Sequence, residues 1–227
     1  MPKTHDRYVN NELLGFISRP QYESSCSLSS LTAVFNYLFA GELGIQTSKD
    51  LAAKAGIIAP QDIGDGPGNQ TVMEWFDLIC KAYGVRGNGE FFLRAKDVRD
   101  WDKNREVIDS LKEVVHSRDQ ALIYHMDNHY NVIIGWFEHA DAADNAYADG
   151  ELQRWIVLGE HSDYNPIPEL IQKVLRALPD IILSEDRYNL VMERVAATPI
   201  WCRRWGSIRH DLLNTSKHCV MAFRRDD

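Results

Sequence analysis

Basic charge is scarce in this chain. Against 33 Asp and Glu it sets 25 Lys and Arg, for a net charge of −8 at neutral pH. That balance argues against a general nucleic-acid-binding surface, which needs a basic face to displace counterions from phosphates. Cysteine is scarce as well. The four present, at positions 26, 80, 202 and 219, form no CxxC spacing, so zinc-ribbon and thioredoxin-like readings lack their signature, and neither a metal nor a cofactor is expected. Low usage suits a reducing compartment in which a thiol stays free. No apolar run approaches the roughly 20 residues of a membrane-spanning helix, and the opening MPKTHDRYVNNELLG lacks the apolar centre of a signal peptide. A cytoplasmic protein without membrane or nucleic-acid partners is the expectation; export by a route without a visible signal peptide stays open. Repeats, low-complexity tracts and phosphate-loop glycine patterns are missing, which leaves nucleotide binding unsupported.

What the chain does have is an order. With 227 residues it is long enough for one domain with a substantial core. Leu13–Ile17 reads as a short strand. Apolar residues at Leu28, Leu31, Val34, Phe35 and Leu38 follow one helix face from Cys26 to about Gly41 or Gly44. Ser48 caps a short helix closed by Gly56, and IIAPQDIGDGPGNQ is a loop. Val72, Trp75, Phe76, Ile79, Cys80 and Tyr83 share the face of another helix ended by Gly84, which makes Cys80 a core residue. A strand at Glu90–Arg94 and a helix over about 104–116 follow. ALIYH (121–125), YNVIIGWF (130–137), LQRWIVLGE (152–160) and HCVMAF are strand-like in their β-branched and aromatic content. The intervening EHADAADNAYADGE is an acidic excursion. Two helices are expected in PELIQKVLRAL and EDRYNLVMERVA, followed by an irregular Arg–Trp segment. Helices first and an antiparallel sheet second make an α+β domain over 1–227. Its helical part spans about 20–116, its sheet part about 117–165 plus a strand at 218–223, and a helical extension without an assigned role covers 166–217.

Chemistry gathers at four residues. Cys26 falls at a helix start, where unpaired N–H groups and the helix dipole favour a thiolate. His129 opens a strand, and the end of the next strand, Glu160, returns beside it if the two form a hairpin, with Asp163 and Asn165 as rival partners for the ring. His125, four residues earlier, is a rival to His129. Gln21, shortly before the cysteine, can offer an amide N–H to a developing oxyanion. The structural alternatives are a small buried cysteine and a strand histidine with no chemical duty.

The sequence of Gln21, Cys26, His129 and a following acid resembles the papain-like cysteine peptidase superfamily, and within it the bacterial double-glycine leader peptidases and their stand-alone relatives. QYESSCSLSSLTAVFNYL, GNQTVMEWFDLICKAYGV, NHYNVIIGW and RWIVLGEHSDYNP carry the likeness, over about residues 13–165. Ser27 replaces the Gly that usually follows the nucleophile, and Glu160–His161 replaces the usual Asp and Pro. The resemblance implies a helical lobe packed on a sheet lobe with the site in the cleft between them. It implies a thiol hydrolase that cleaves a peptide or amide bond through a thioester, acting on a peptide or protein substrate. Two alternatives are an acyltransferase or transglutaminase-like enzyme using the same thioester, and a non-catalytic module that binds a peptide.

Overall fold

A computed structural model describes residues 7–17, 26–57, 67–94, 105–126, 129–140, 152–159, 200–204 and 219–226. Its elements run β1 (Arg7–Val9), α1 (Asn11–Phe16), α2 (Cys26–Leu43), α3 (Ser48–Ala55), α4 (Asn69–Tyr83), β2 (Gly87–Arg94), α5 (Arg105–His116), β3 (Gln120–Met126), β4 (His129–Ala140), β5 (Leu152–Gly159), β6 (Ile200–Arg204) and β7 (Cys219–Arg225). Among the described residues, seven strands form one antiparallel sheet in the order β2-β7-β3-β4-β5-β6, with β1 paired to β4. The molecule therefore mixes helices with an antiparallel sheet.

The sheet's centre is β4, which is buried from Tyr130 to Ile134. Helices α2 and α4 cover one face, where Phe35, Phe39, Phe76 and Phe223 meet edge to face or tilted at centroid separations of 5.0–6.4 Å. Helix α5 covers the other, with Leu111 and Val115 against Leu122, Ile133 and Trp136. Every residue of α2 from Cys26 to Phe39 is buried. Ser27 Oγ is buried without a partner among the described residues, but two other polar residues are matched inside the fold. Thr32 donates to the Leu28 carbonyl, and Asn36 bonds the backbone N–H and carbonyl of Gln46, which pins the link to α3. No single helix among the described residues is long and apolar enough to cross a membrane.

Several local readings change. Leu13–Ile17 is not a strand: Asn10 accepts from the Leu13 N–H and caps α1, and its amide nitrogen also reaches the Tyr37 hydroxyl and the Val115 carbonyl. A cap with tertiary partners outweighs the weak strand preference of so short a stretch. The cap of α3 is Thr47, one residue before Ser48, in a reciprocal pair with Asp50. β1 falls in the polar opening, where no strand was expected, and β2 begins at Gly87, three residues before the strand expected at Glu90–Arg94; both join the sheet, because strand pairing at long sequence separation leaves little local trace. The Arg–Trp segment contributes β6, which pairs with β5. The helices expected within 166–199 lie outside the described residues.

Gly135 sits beside a bulge in the β4–β5 ladder. A Cβ there would lie 2.3 Å from the Tyr8 carbonyl oxygen and 3.1 Å from the Val9 Cα. Both obstacles are backbone and cannot swing away. Gly135→Ala should thus push β1 off the sheet and cost roughly 1–3 kcal/mol, read as a fall in the urea midpoint; an unchanged midpoint would show that β1 adds nothing to stability.

On the α5 face, Lys112 Nζ stands 2.7 Å from Glu138 Oε1 and 4.5 Å from the centroid of the Trp136 ring. The two side chains are only 17% and 10% exposed, so removing the Glu138 charge leaves Lys112 largely away from water with only the longer, exposed contact to Asp109 at 3.7 Å. Glu138→Gln should cost about 1–3 kcal/mol. A loss no larger than that of an exposed ion pair would place this contact among the weak surface pairs.

Candidate functional site

The site starts from one docking contact. Ser30, one turn after Cys26, donates from Oγ to the Tyr130 carbonyl at 2.9 Å. This fastens the first turn of α2 to the start of β4, so the cysteine at the helix start meets the histidine at the strand start. Cys26 and His129 are joined by a side-chain hydrogen bond, and the backbone N–H groups of Tyr130 and Ser27 also point at the sulfur. Burial alone pushes the Cys26 thiol up. The His129 hydrogen bond, the Tyr130 N–H, the charge of His129 and the Ser27 N–H together outweigh it and hold the thiol below its ordinary value.

The other described thiols have opposite surroundings. Burial pushes both Cys80 and Cys219 up to about 12, with nearby Asp77 and Asp226 adding to the effect at Cys80. Three buried thiols in one domain thus separate into one activated and two inert groups, and the activated one is at the helix start.

Tyr130 connects this site to the segment before α4. Its hydroxyl donates to the Pro67 carbonyl at 2.6 Å, and Asn69 Oδ1 lies 3.2 Å away. His125 stacks on the Tyr130 ring, 4.2 Å between centroids and almost parallel. The ladder pairs His125 with Tyr130 and Met126 with His129. This register separates the two histidines: His129 contacts the sulfur, and His125 packs as a ring partner one pair further along.

Gln21, Glu160, Asp163 and Asn165 lie outside the described residues, as do Ser24 and Ser25, the expected caps of α2. The end of β5, Gly159, pairs with Val132. Sequence reasoning missed Ser30 and Tyr130. A serine four residues after a cysteine on a buried helix face was a signal for the first, since a hydroxyl there must find a partner. Among the described residues, no group of three or more His, Cys, Asp or Glu could hold a metal ion. What the arrangement can do is present a sulfur nucleophile already paired with a group that can carry its proton.

Comparison with known proteins gives a consistent answer. The family described as basic immunoglobulin-like variable motif-containing protein matches residues 6–227. The human protein of that name is 32% identical over 92% of this chain and 43% of its own length. The Xenopus tropicalis protein is likewise 32% identical, over 92% of this chain and 43% of its own length. A Giardia intestinalis relative is 28% identical over 53% of this chain. This chain thus spans less than half the length of the human and frog proteins. Neither the family nor these relatives are named as cysteine peptidases. The expected membership of the papain-like peptidases is thereby overturned, and with it the thiol-hydrolase activity. The acyl-transfer and peptide-binding alternatives came from the same resemblance and lose their ground. The reason is chemical: a cysteine at a helix start facing a histidine at a strand start is a local constellation that unrelated scaffolds can host, so it does not identify a lineage.

Proposed function

We propose, for a chain that belongs to the basic immunoglobulin-like variable motif-containing protein family, that Cys26 and His129 form a reactive thiol centre. The names of its relatives state no activity, so the reading comes from the site. One observation carries it: the sulfur–imidazole hydrogen bond at the start of α2, reinforced by two backbone N–H groups. In this pair the imidazole can take the thiol proton, so that negative charge develops on the sulfur. The sulfur lone pair forms a bond to an electrophilic carbon, the departing group leaves with its bonding electrons, and the imidazolium can return its proton to that group. Cleavage of peptide bonds is no part of this proposal. Gln21 and Glu160 enter it as residues whose removal should alter reactivity at Cys26.

The test is the rate of carboxamidomethylation of each cysteine by iodoacetamide, resolved by mass spectrometry between pH 5 and 9. Cys26 should react well below the ordinary thiol midpoint of about 8.5, while Cys80 and Cys219 stay silent in the native protein. A Cys26 midpoint at or above that reference would refute the centre.

A further inference from the structure

Asn131 stands two residues beyond His129 on β4 and, by strand alternation, on the same side of the sheet. It is fully buried, and among the described residues neither its amide nitrogen nor its amide oxygen has a hydrogen-bond partner. It faces Tyr124 across the ladder, and the residues that follow it are Val132, Ile133 and Ile134. A buried amide without partners is costly, whereas an aliphatic side chain of similar size would suit this strand at no such cost. Packing therefore gives no reason for an amide at this position. The neighbouring imidazole does.

We propose that Asn131 is a positioning residue of the thiol centre, acting through His129. An amide can turn its oxygen toward an imidazolium and its nitrogen toward a neutral ring. It can therefore serve the histidine in both protonation states that the chemistry of Cys26 requires. The inference rests on the reading of Cys26 and His129 as a reactive centre. The titratable groups packed around that pair come from three strands: His125 on β3, Tyr130 on β4 and Cys219 on β7, with Tyr124 of β3 facing Asn131 across the ladder. Lys112 and Glu138 meet at the opposite end of β4.

Two variants of the full chain test the role. Asn131→Leu removes the amide and fills the space. Its thermal midpoint should equal or exceed that of the parent, because an unsatisfied polar group has gone. Its Cys26 alkylation midpoint should rise by about half a pH unit, a roughly threefold loss of rate at acidic pH. Asn131→Thr keeps one hydroxyl and a strand-forming shape, and should fall between the two. If both profiles superimpose on that of the parent, the amide does not act on the centre and the proposal fails. If the leucine variant does not fold, the threonine variant decides alone; if neither folds, the amide is a structural requirement and the proposal fails. A parent protein whose own Cys26 midpoint is ordinary overturns the thiol centre first, which keeps the two failures distinguishable.

Discussion

His129→Ala is expected to make Cys26 less reactive than a free thiol at neutral pH. Burial raises the thiol, and His129 supplies two of the four influences that lower it, the largest among them. Removing the ring leaves the burial in place and takes away the main compensation. The alkylation midpoint should then move from below the ordinary value to at or above it. Each pH unit of that movement is roughly a tenfold change in thiolate at acidic pH, so the rate at pH 6 should drop by about that factor for each unit moved. The fold should survive, because the ring is only half-buried and stands at a strand start instead of in the core. The measurement is a pH–rate profile for Cys26 beside a thermal melt, with Cys26→Ala marking the background. Superimposable profiles for parent and variant would mean that the two backbone N–H groups alone activate the sulfur.

Much of this geometry was legible because it is local. The three-four spacing from Leu28 to Leu38 described α2, and its start placed Cys26 among unpaired N–H groups. The β-branched run after His129 described β4. Harder to read were features that depend on distant parts of the chain. Asn10 reaching Tyr37 and Val115 turns a strand-like stretch into a capped helix. The edge position of β2 is set by Phe223 and its neighbours on β7, more than a hundred residues later. The bulge beside Gly135 shifts the β4–β5 ladder by one residue, which a hairpin drawn from strand ends alone does not foresee. Family membership was misread for a different reason. Gln21, Cys26 and His129 describe a chemical requirement, and a requirement of three residue types in order is compatible with many ancestries. Nor does a relative's name describe this chain: it is acidic, and its described residues build a helix-covered single sheet instead of the two-sheet sandwich of an immunoglobulin domain.

The second large effect should appear at alkaline pH, from thiols that take no part in the chemistry. Cys80 and Cys219 are held up to about 12 by burial, against an unfolded value of 9.0. A raised folded value stabilises the protein fully below the unfolded value, and that contribution is lost as pH rises. Above pH 9 the unfolded chain has released both protons while the folded chain keeps them, so unfolding becomes favoured by about 1.4 kcal/mol per pH unit for each thiol. The two together make roughly 3 kcal/mol per pH unit between pH 9 and 12, enough to unfold a domain of ordinary stability before pH 12. Cys26 acts with the opposite sign. Its folded value is lowered, so its contribution is present above pH 9 and fades as pH falls through the folded value. Urea denaturation at pH 8 through 11 should therefore show a steep alkaline decline in the parent. Cys80→Ala and Cys219→Ala should each flatten that slope by about half between pH 9 and 10, before Tyr130 and the other tyrosines held up by burial add to it, even though each also leaves a small cavity that lowers stability evenly across the range. Cys26→Ala should leave the alkaline slope as steep as before. Parallel slopes for the parent and for the alanine variants at positions 80 and 219 would show that both thiols ionise in the folded protein at their ordinary value, and that the burial at β7 and α4 admits water.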